Sequence, residues 1–272
     1  TETVYGLAAR ADSAEAVARI YAAKGRPDFN PLIVHVTGVT QALRYGVFAP
    51  EALALADAHW PGPLTLVVPA RADAGLATAV TAGLPTIALR VPAHPVMRAL
   101  LATVDFPLAA PSANRSGFIS PTTPAHVLAS LNGRIDMVLD GGATKAGVES
   151  TIVAVRADGS VEELRPGPLQ IAVPGTRAQI EAPGQLASHY APGKPVRLNA
   201  EMAEADEFLI GFGTVAGDCT LSAAGDVNEA ATNLYAALHE AAFAPQPRIA
   251  VAPVPMEGIG RAINDRLRRA AA

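Results

Sequence analysis

Apolar residues in this chain recur at two alternating periods. Val17, Ile20 and Tyr21 fall three and four apart, which predicts a helix over 12–24. Asp12 is placed to cap it, Glu15 three residues on completes a capping box, and Gly25 follows its end. Leu32 to Val36 is a short β-branched run and reads as a buried strand. A second helix is predicted over 50–59, closed by Pro61-Gly62-Pro63. Strands are then expected at 64–68, 86–91, 107–110, 137–139, 151–155 and 161–164, with helices over 95–102 and 123–131. Strands interleaved with helices predict an α/β layered fold.

Between 171 and 195 the periodicity stops, and Pro174, Gly175, Pro183, Gly184, Pro192, Gly193 and Pro195 punctuate the stretch. Beyond it comes a compact β-α-β-α pattern: a strand over 208–212, a helix over 228–242 with Leu234, Leu238 and Phe243 facing inward, a strand over 248–252 and a helix over 259–269. The organisation expected is one α/β domain over 1–171, a linker over 172–195 and a small α/β domain over 196–272. Arg266, Arg268 and Arg269 end the last helix, where cations suit the helix dipole and need no nucleic-acid partner.

Composition narrows the function classes. Half of the 272 residues are hydrophobic and 17% are charged, which excludes disorder along the whole chain. The net charge of −4 argues against a general polyanion binder, because such affinity comes mostly from neutralising phosphates. Cys219 is the only cysteine, so a disulfide framework and a cysteine zinc site are excluded and a reducing, cytoplasmic address is favoured. Asp218 beside it should raise its pKa and leave it inert. No apolar run approaches the length of a membrane span. The chain opens on Thr1-Glu2-Thr3 without Met, so residues are expected upstream.

Four polar clusters sit where strands end, which is where open α/β sheets place ligands. Thr1-Glu2-Thr3-Val4-Tyr5-Gly6 offers hydroxyls and a carboxylate, and reads either as a site or as a capping turn. Lys24-Gly25-Arg26-Pro27 with Asn30-Pro31 reads as a phosphate clamp or as a cationic helix end. The third cluster runs from Ala110 through Ser112, Asn114 and Gly117 to Ser120, and can aim a hydroxyl, an amide and backbone N–H groups at an anion, although ordinary turns use the same residues. Gly147-Val148-Glu149-Ser150-Thr151 delivers hydroxyls into an apolar strand. His35 and Arg90 interrupt apolar strands, and Thr86 shares a face with Arg90. A buried guanidinium keeps its proton, so Arg90 must meet a carboxylate, from the protein or from a substrate. Walker, dinucleotide-fingerprint, zincin and nucleophile-elbow motifs are absent. This inventory suits positioning of anionic reactants, as phosphoryl or nucleotidyl transfer requires.

In order along the chain, T-E-T-V-Y-G-L, K-G-R-P-x-x-N-P-L-I-V-H, T-x-A-x-R-V-P, P-S-A-N-x-S-G and E-S-T-I-V, followed by S-H-Y-A-P, resemble the long, two-domain threonylcarbamoyl-AMP synthases. The resemblance spans essentially the whole chain. It implies a YrdC-like twisted α/β sheet domain with a concave basic groove, a linker acting as a lid, and a small Rossmann-like domain. It also implies condensation of L-threonine, bicarbonate and ATP to threonylcarbamoyl-AMP and pyrophosphate, with Mg²⁺ accompanying ATP. The product would pass to a separate tRNA threonylcarbamoyl transferase complex, so direct tRNA binding is not required, and no membrane is involved. Carried over by position, Thr3, His35, Arg90, Ser150 and the backbone near Ala110 match threonine-binding positions. Arg26, Asn30, Thr86, Ser112, Asn114, Ser120, Arg165 and Tyr190 match ATP-binding positions, with Lys24 and Arg26 in the catalytic basic motif. Gln185 stands where that family tends to carry an apolar residue. The rival readings are a double-stranded RNA-binding module with a YrdC-like groove, which would show salt-sensitive RNA binding without nucleotide turnover, and a carbamoyl-adenylate enzyme.

Overall fold

A computed structural model describes residues 1–25, 30–171 and 189–272. The first part of the chain runs β1 (Ala9–Arg10), α1 (Ala14–Lys24), β2 (Ile33–His35), α2 (Val39–Ala42), α3 (Pro50–His59), β3 (Leu64–Pro69), α4 (Thr78–Thr81), β4 (Thr86–Arg90), α5 (Pro95–Thr103), β5 (Leu108–Ala109), α6 (Pro124–Leu131), β6 (Thr151–Val155) and β7 (Val161–Arg165). The second part adds β8 (Val196–Leu198), β9 (Glu207–Gly211), β10 (Cys219–Thr220), α7 (Val227–Phe243), β11 (Arg248–Val251) and α8 (Gly260–Ala270). No helix among the described residues is long and apolar enough to cross a membrane.

The seven strands of the first sheet lie in the order β1-β5-β2-β4-β3-β6-β7 and mix parallel with antiparallel pairs. Their registers divide the side chains cleanly. Val34 opposes Leu89, Leu89 opposes Leu66, and Leu66 opposes Val153. These residues face the helical side and pack with Val17, Ile20, Ala52 and Ala56 into one core. The alternate residues Ile33, Val67, Ala88, Ile152, Ala154 and Leu164 form only a small cluster on the other face. His35, Arg90 and Thr65 continue that second face, because side chains alternate along a strand. The thinly covered face is therefore the one that carries the polar groups.

The second sheet is all parallel, in the order β10-β9-β11-β8, with α7 and α8 packed on it. Its core of Ile210, Leu234, Leu238, Ile249, Ile263 and Leu267 extends without a break into Val4, Ile119, Val148 and Tyr190 of the preceding chain. One apolar cluster thus ties the two sheets together.

Several expectations change on inspection. Residues 137–139 form no strand, and Met137 is 74% exposed; only Val138 packs inward, against the cluster around Tyr5 and Leu131. Met137, Val138 and Leu139 line a cavity with Ala9 and Arg10 of β1, the edge strand, instead of extending the sheet. Phe243 is 77% exposed at the end of α7, while Leu234 and Leu238 are buried as expected. β1, β8, β10, α2 and α4 were not foreseen, since two to four residues are too short to show a period. The predicted capping box is replaced by a single cap one residue on. Ser13, not Asp12, accepts the N–H of Ala16, while Asp12 is held by the Arg10 guanidinium at 2.9–3.0 Å. Gly25 ends the helix in the left-handed conformation (φ 58°), its N–H directed at the last-turn carbonyls. Ser13→Ala is expected to cost about 1 kcal/mol of stability and Asp12→Ala only a few tenths, as measured by urea unfolding; the reverse order would return the cap to Asp12.

Candidate functional site

Arg90 closes β4 on the open face, beside His35 of β2. Its guanidinium is buried and has to find acceptors. Nε donates to the Gly62 carbonyl at 3.2 Å, Nη1 to the Thr3 hydroxyl at 3.0 Å and Nη2 to Glu2 Oε1 at 2.6 Å. The carboxylate demanded by sequence reasoning is thus Glu2, which stood in the first polar cluster without being paired with Arg90. Glu2 Oε2 also accepts the backbone N–H groups of Ala93 and His94. Burial opposes the Glu2 charge, but Arg90 and these N–H groups outweigh it and hold the carboxyl below its ordinary value. Of the five guanidinium N–H groups of Arg90, two remain without a partner among the described residues.

His35 is buried next to this cation. Burial, then the charge of Arg90, pushes its pKa down to about 3, so the imidazole is neutral. Its Nδ1 has no hydrogen-bond partner among the described residues. A neutral imidazole and a partly unspent guanidinium therefore stand side by side.

The opposite wall is built by the loop entering β6. Ser150 shares a 2.8 Å hydrogen bond with Thr65, and its hydroxyl also accepts from Arg165 Nη2 at 3.0 Å. Arg165 further donates to the Ser150 carbonyl through Nε at 3.1 Å and Nη2 at 2.9 Å. Gly167 allows this closeness, since a Cβ there would lie 2.3 Å from the Thr151 nitrogen. Gly147, at φ +70°, sets the same loop against α7, where a Cβ would lie 2.1 Å from the Ala231 carbonyl oxygen. Glu149, between these two glycines, is buried. It accepts from Ser120 Oγ at 2.6 Å, from Tyr235 Oη at 2.9 Å and from Arg266 Nε at 3.0 Å. Burial alone would raise its pKa, but Arg266, Arg165 and Ser120 prevail and bring it down to about 2.

The Lys24 ammonium is buried and donates to the carbonyl oxygens of Ser112 and Asn114 and to Asn114 Oδ1. It gathers the loop after β5 around one cation. The Asn114 amide in turn donates to the carbonyls of Arg115 and Phe118. Ala191 N–H donates to the Gly117 carbonyl at 2.8 Å, which lays the segment carrying His189 and Tyr190 against this loop. Tyr190 is buried in the left-handed conformation (φ 63°), with its ring 5.6 Å from that of Tyr235.

Thr3, His35, Arg90, Ala110, Ser112, Ser150, Arg165 and Tyr190 line one common cavity. Eight residues spread over nearly 190 positions therefore converge. Lys24, Asn30, Asn114 and Ser120 are buried and do not line this cavity, and Thr86 lies at the far end of β4 on the same face as Arg90. Arg26 and most of the linker, including Gln185, lie outside the described residues. Sequence reasoning missed Glu2, Thr65, Tyr235 and Arg266. Glu2 and Glu149 were visible within their motifs, whereas nothing local marked Tyr235 or Arg266. Arg266, expected only to complement the helix dipole, is 0% exposed and paired with Glu149. Cys219 is partly buried, and burial, then Glu240 and Asp218, push its thiol up to about 12.

A mixed sheet with a charged open face, walled by an E-S-T loop and joined to a parallel second sheet, defines a two-domain protein of the YrdC-like class. Residues 1–167 match the family model described as "Telomere recombination", which spans Sua5, YciO and YrdC proteins, and residues 149–272 match "Threonylcarbamoyl-AMP synthase, C-terminal domain". The chain belongs to the threonylcarbamoyl-AMP synthase family. It is 37% identical to the threonylcarbamoyl-AMP synthase of Pyrococcus abyssi, over 99% of this chain and 88% of that protein. It is 44% identical to that of Bacillus subtilis, over 77% of this chain and 64% of the relative's length, so less than two thirds of the Bacillus protein is spanned. The crystal structure of P. abyssi Sua5 complexed with L-threonine superposes with a TM-score of 0.89 at 35% identity, covering 100% of this chain and 88% of that one. Escherichia coli YciO, at 19% identity and TM-score 0.53, shares the fold of the first part.

The depressed Glu149 pKa carries a sign. A carboxyl lowered on folding contributes stability that is complete above its ordinary value of 4.5 and is lost as pH falls through about 2. Denaturant unfolding is expected to show stability falling across that window, with a shallower fall in Glu149→Gln; identical slopes would remove Glu149 from the acid response.

Proposed function

We propose that this protein condenses L-threonine, bicarbonate and ATP into L-threonylcarbamoyl-AMP and pyrophosphate, the step that precedes threonylcarbamoyl transfer to tRNA. The observation that carries the reading is the buried Arg90, which is anchored by Glu2, Thr3 and Gly62 and keeps two donors for a substrate carboxylate. Support comes from the family models along the chain and from a close structural relative complexed with L-threonine.

In this mechanism the threonine carboxylate takes the free donors of Arg90, a charge-assisted contact that fixes the amino acid's orientation. The amine adds to the carbon of carbon dioxide or bicarbonate. With carbon dioxide the adduct loses a proton, and with bicarbonate it loses water; either way an N-carboxylate is left. One of its oxygens attacks the α-phosphorus of ATP, the bond to the β-phosphate oxygen breaks, and pyrophosphate departs with the electron pair. The neutral His35 presents a polar edge to the amino acid without repelling the amine. Ser150, oriented by Thr65 and Arg165, supplies a hydroxyl on the opposite wall. Catalysis here is positioning and charge neutralisation, with no covalent enzyme intermediate.

Ser112, Asn114, Ser120, Asn30, Thr86, Arg165 and Tyr190 are the proposed nucleotide-side residues, with Arg26 assigned to the phosphates by resemblance. Lys24 holds the loop that carries Ser112 and Asn114. Mg²⁺ would arrive with ATP, ligated by phosphate oxygens and water. The linker would exclude water from the mixed anhydride. The product would pass to a tRNA threonylcarbamoyl transferase complex, and the reading carries a cytoplasmic address with it.

Pyrophosphate release, measured with each component omitted in turn, tests the proposal. Release is expected only when ATP, Mg²⁺, L-threonine and bicarbonate are all present. Release at full rate without threonine would contradict the reading and point to a pyrophosphohydrolase or a carbamoyl-adenylate enzyme.

A further inference from the structure

We infer that Arg266 of α8 and Tyr235 of α7 are positioning residues for the amino-acid site, acting through Glu149 on the loop that carries Ser150. The inference rests on the synthase reading above and assigns the second α/β domain a part in substrate binding. Glu149 is the node. Its two oxygens receive three protons: the Ser120 hydroxyl, the Tyr235 hydroxyl and Arg266 Nε–H. Ser120 belongs to the first domain, whereas Tyr235 and Arg266 belong to the second. The carboxylate therefore holds its orientation only while both domains are docked, and the next residue is Ser150 in the cavity wall.

Other contacts in the same place restrict the loop further. Thr232 of α7 donates to the Lys145 carbonyl at 2.8 Å, and Gly147 lies against the α7 backbone with no room for a Cβ. Arg266 also reaches Tyr190, whose ring centroid is 5.6 Å from the guanidinium carbon, within cation–π range. Its Nη1 is held by Asp265 at 2.8 Å, while its buried Nη2 has no partner among the described residues. A buried ion pair returns little stability against its desolvation, and an unsatisfied nitrogen worsens the balance. What this arrangement provides is register: α8 can dock in one position only, and in that position Glu149, Ser150 and Tyr190 are set together.

Arg266→Gln keeps much of the side-chain volume and removes the charge. The test compares wild type, Arg266→Gln, Glu149→Gln and the double variant for L-threonine binding by calorimetry and for kcat and KM toward threonine and ATP. Circular dichroism melts report folding in parallel. Folded Arg266→Gln is expected to raise the Kd and KM for L-threonine about tenfold, with a smaller change in kcat, and the double variant is expected to bind no worse than the weaker single variant. A purely structural role would lower the melting temperature and leave the threonine affinity of the folded fraction unchanged; that result would overturn the inference. If Arg266→Gln does not fold, Tyr235→Phe carries the test, because it removes a single hydroxyl: a threonine KM raised about threefold supports the inference and an unchanged KM overturns it. Wild-type protein that binds no L-threonine would overturn the synthase reading itself. Wild-type binding matched by folded Arg266→Gln would overturn only this inference.

Discussion

The guanidinium of Arg90 cannot shed its proton, and it sits in the interior of the protein at the end of a central strand. Much of the first domain follows from that constraint. The segment around Glu2 and Thr3 has to lie across the open face to bring a carboxylate and a hydroxyl to it. The turn after α3 has to present the Gly62 carbonyl to the remaining edge. His35, in the neighbouring strand, is forced neutral by burial and by the same charge. One cation thus fixes the polarity of the cavity floor, and its two donors without a partner among the described residues are the groups proposed to take a substrate carboxylate.

A second buried charge organises the opposite wall. Glu149 is a carboxylate where Arg90 is a cation, and its partners come from both domains. The two charges differ in how they are neutralised. Arg90 is neutralised from within its own domain and keeps spare donors, as a binding group should. Glu149 accepts from three donors drawn from both domains, which suits a structural hub. Hydroxyls and guanidinia between them, Thr65, Ser150 and Arg165, transmit the position of the hub to the cavity. The apolar cluster running from Ile119 and Val148 into Leu234 and Ile263 supplies the area that holds the domains together, and the buried polar groups select one docking geometry.

The long, strongly periodic elements were legible in the sequence because burial on one face writes itself into the residue pattern. α1, α3, α6 and α7 and the central strands β2, β3, β4 and β6 fall where the pattern predicts them. The residues that converge on the cavity were also legible as types: a His and an Arg interrupting apolar strands, and hydroxyls at strand entries. Partnership was not. Arg90 announces that it needs an anion, but nothing adjacent says that the anion is Glu2, some 88 positions away. Arg266 failed more completely, because a basic residue in a last helical turn has an adequate local explanation, and only packing of α8 against the E-S-T loop displaces it. Met137 and Leu139 failed in the opposite direction: their apolar character suggests a strand, but they line a cavity beside the edge strand β1 without extending the sheet.

The account stands on Arg90 as the receiver of an amino-acid carboxylate, and a calorimetric comparison of L-threonine with L-threoninol tests that most directly. The alcohol keeps the side chain and the amine and lacks only the carboxylate. The account expects saturable binding of L-threonine to the wild-type protein and a loss of at least about a hundredfold in affinity for L-threoninol, since a buried charge-assisted pair is left without its anion. Equal affinities for the two would show that the free donors of Arg90 serve another purpose and would contradict the central claim.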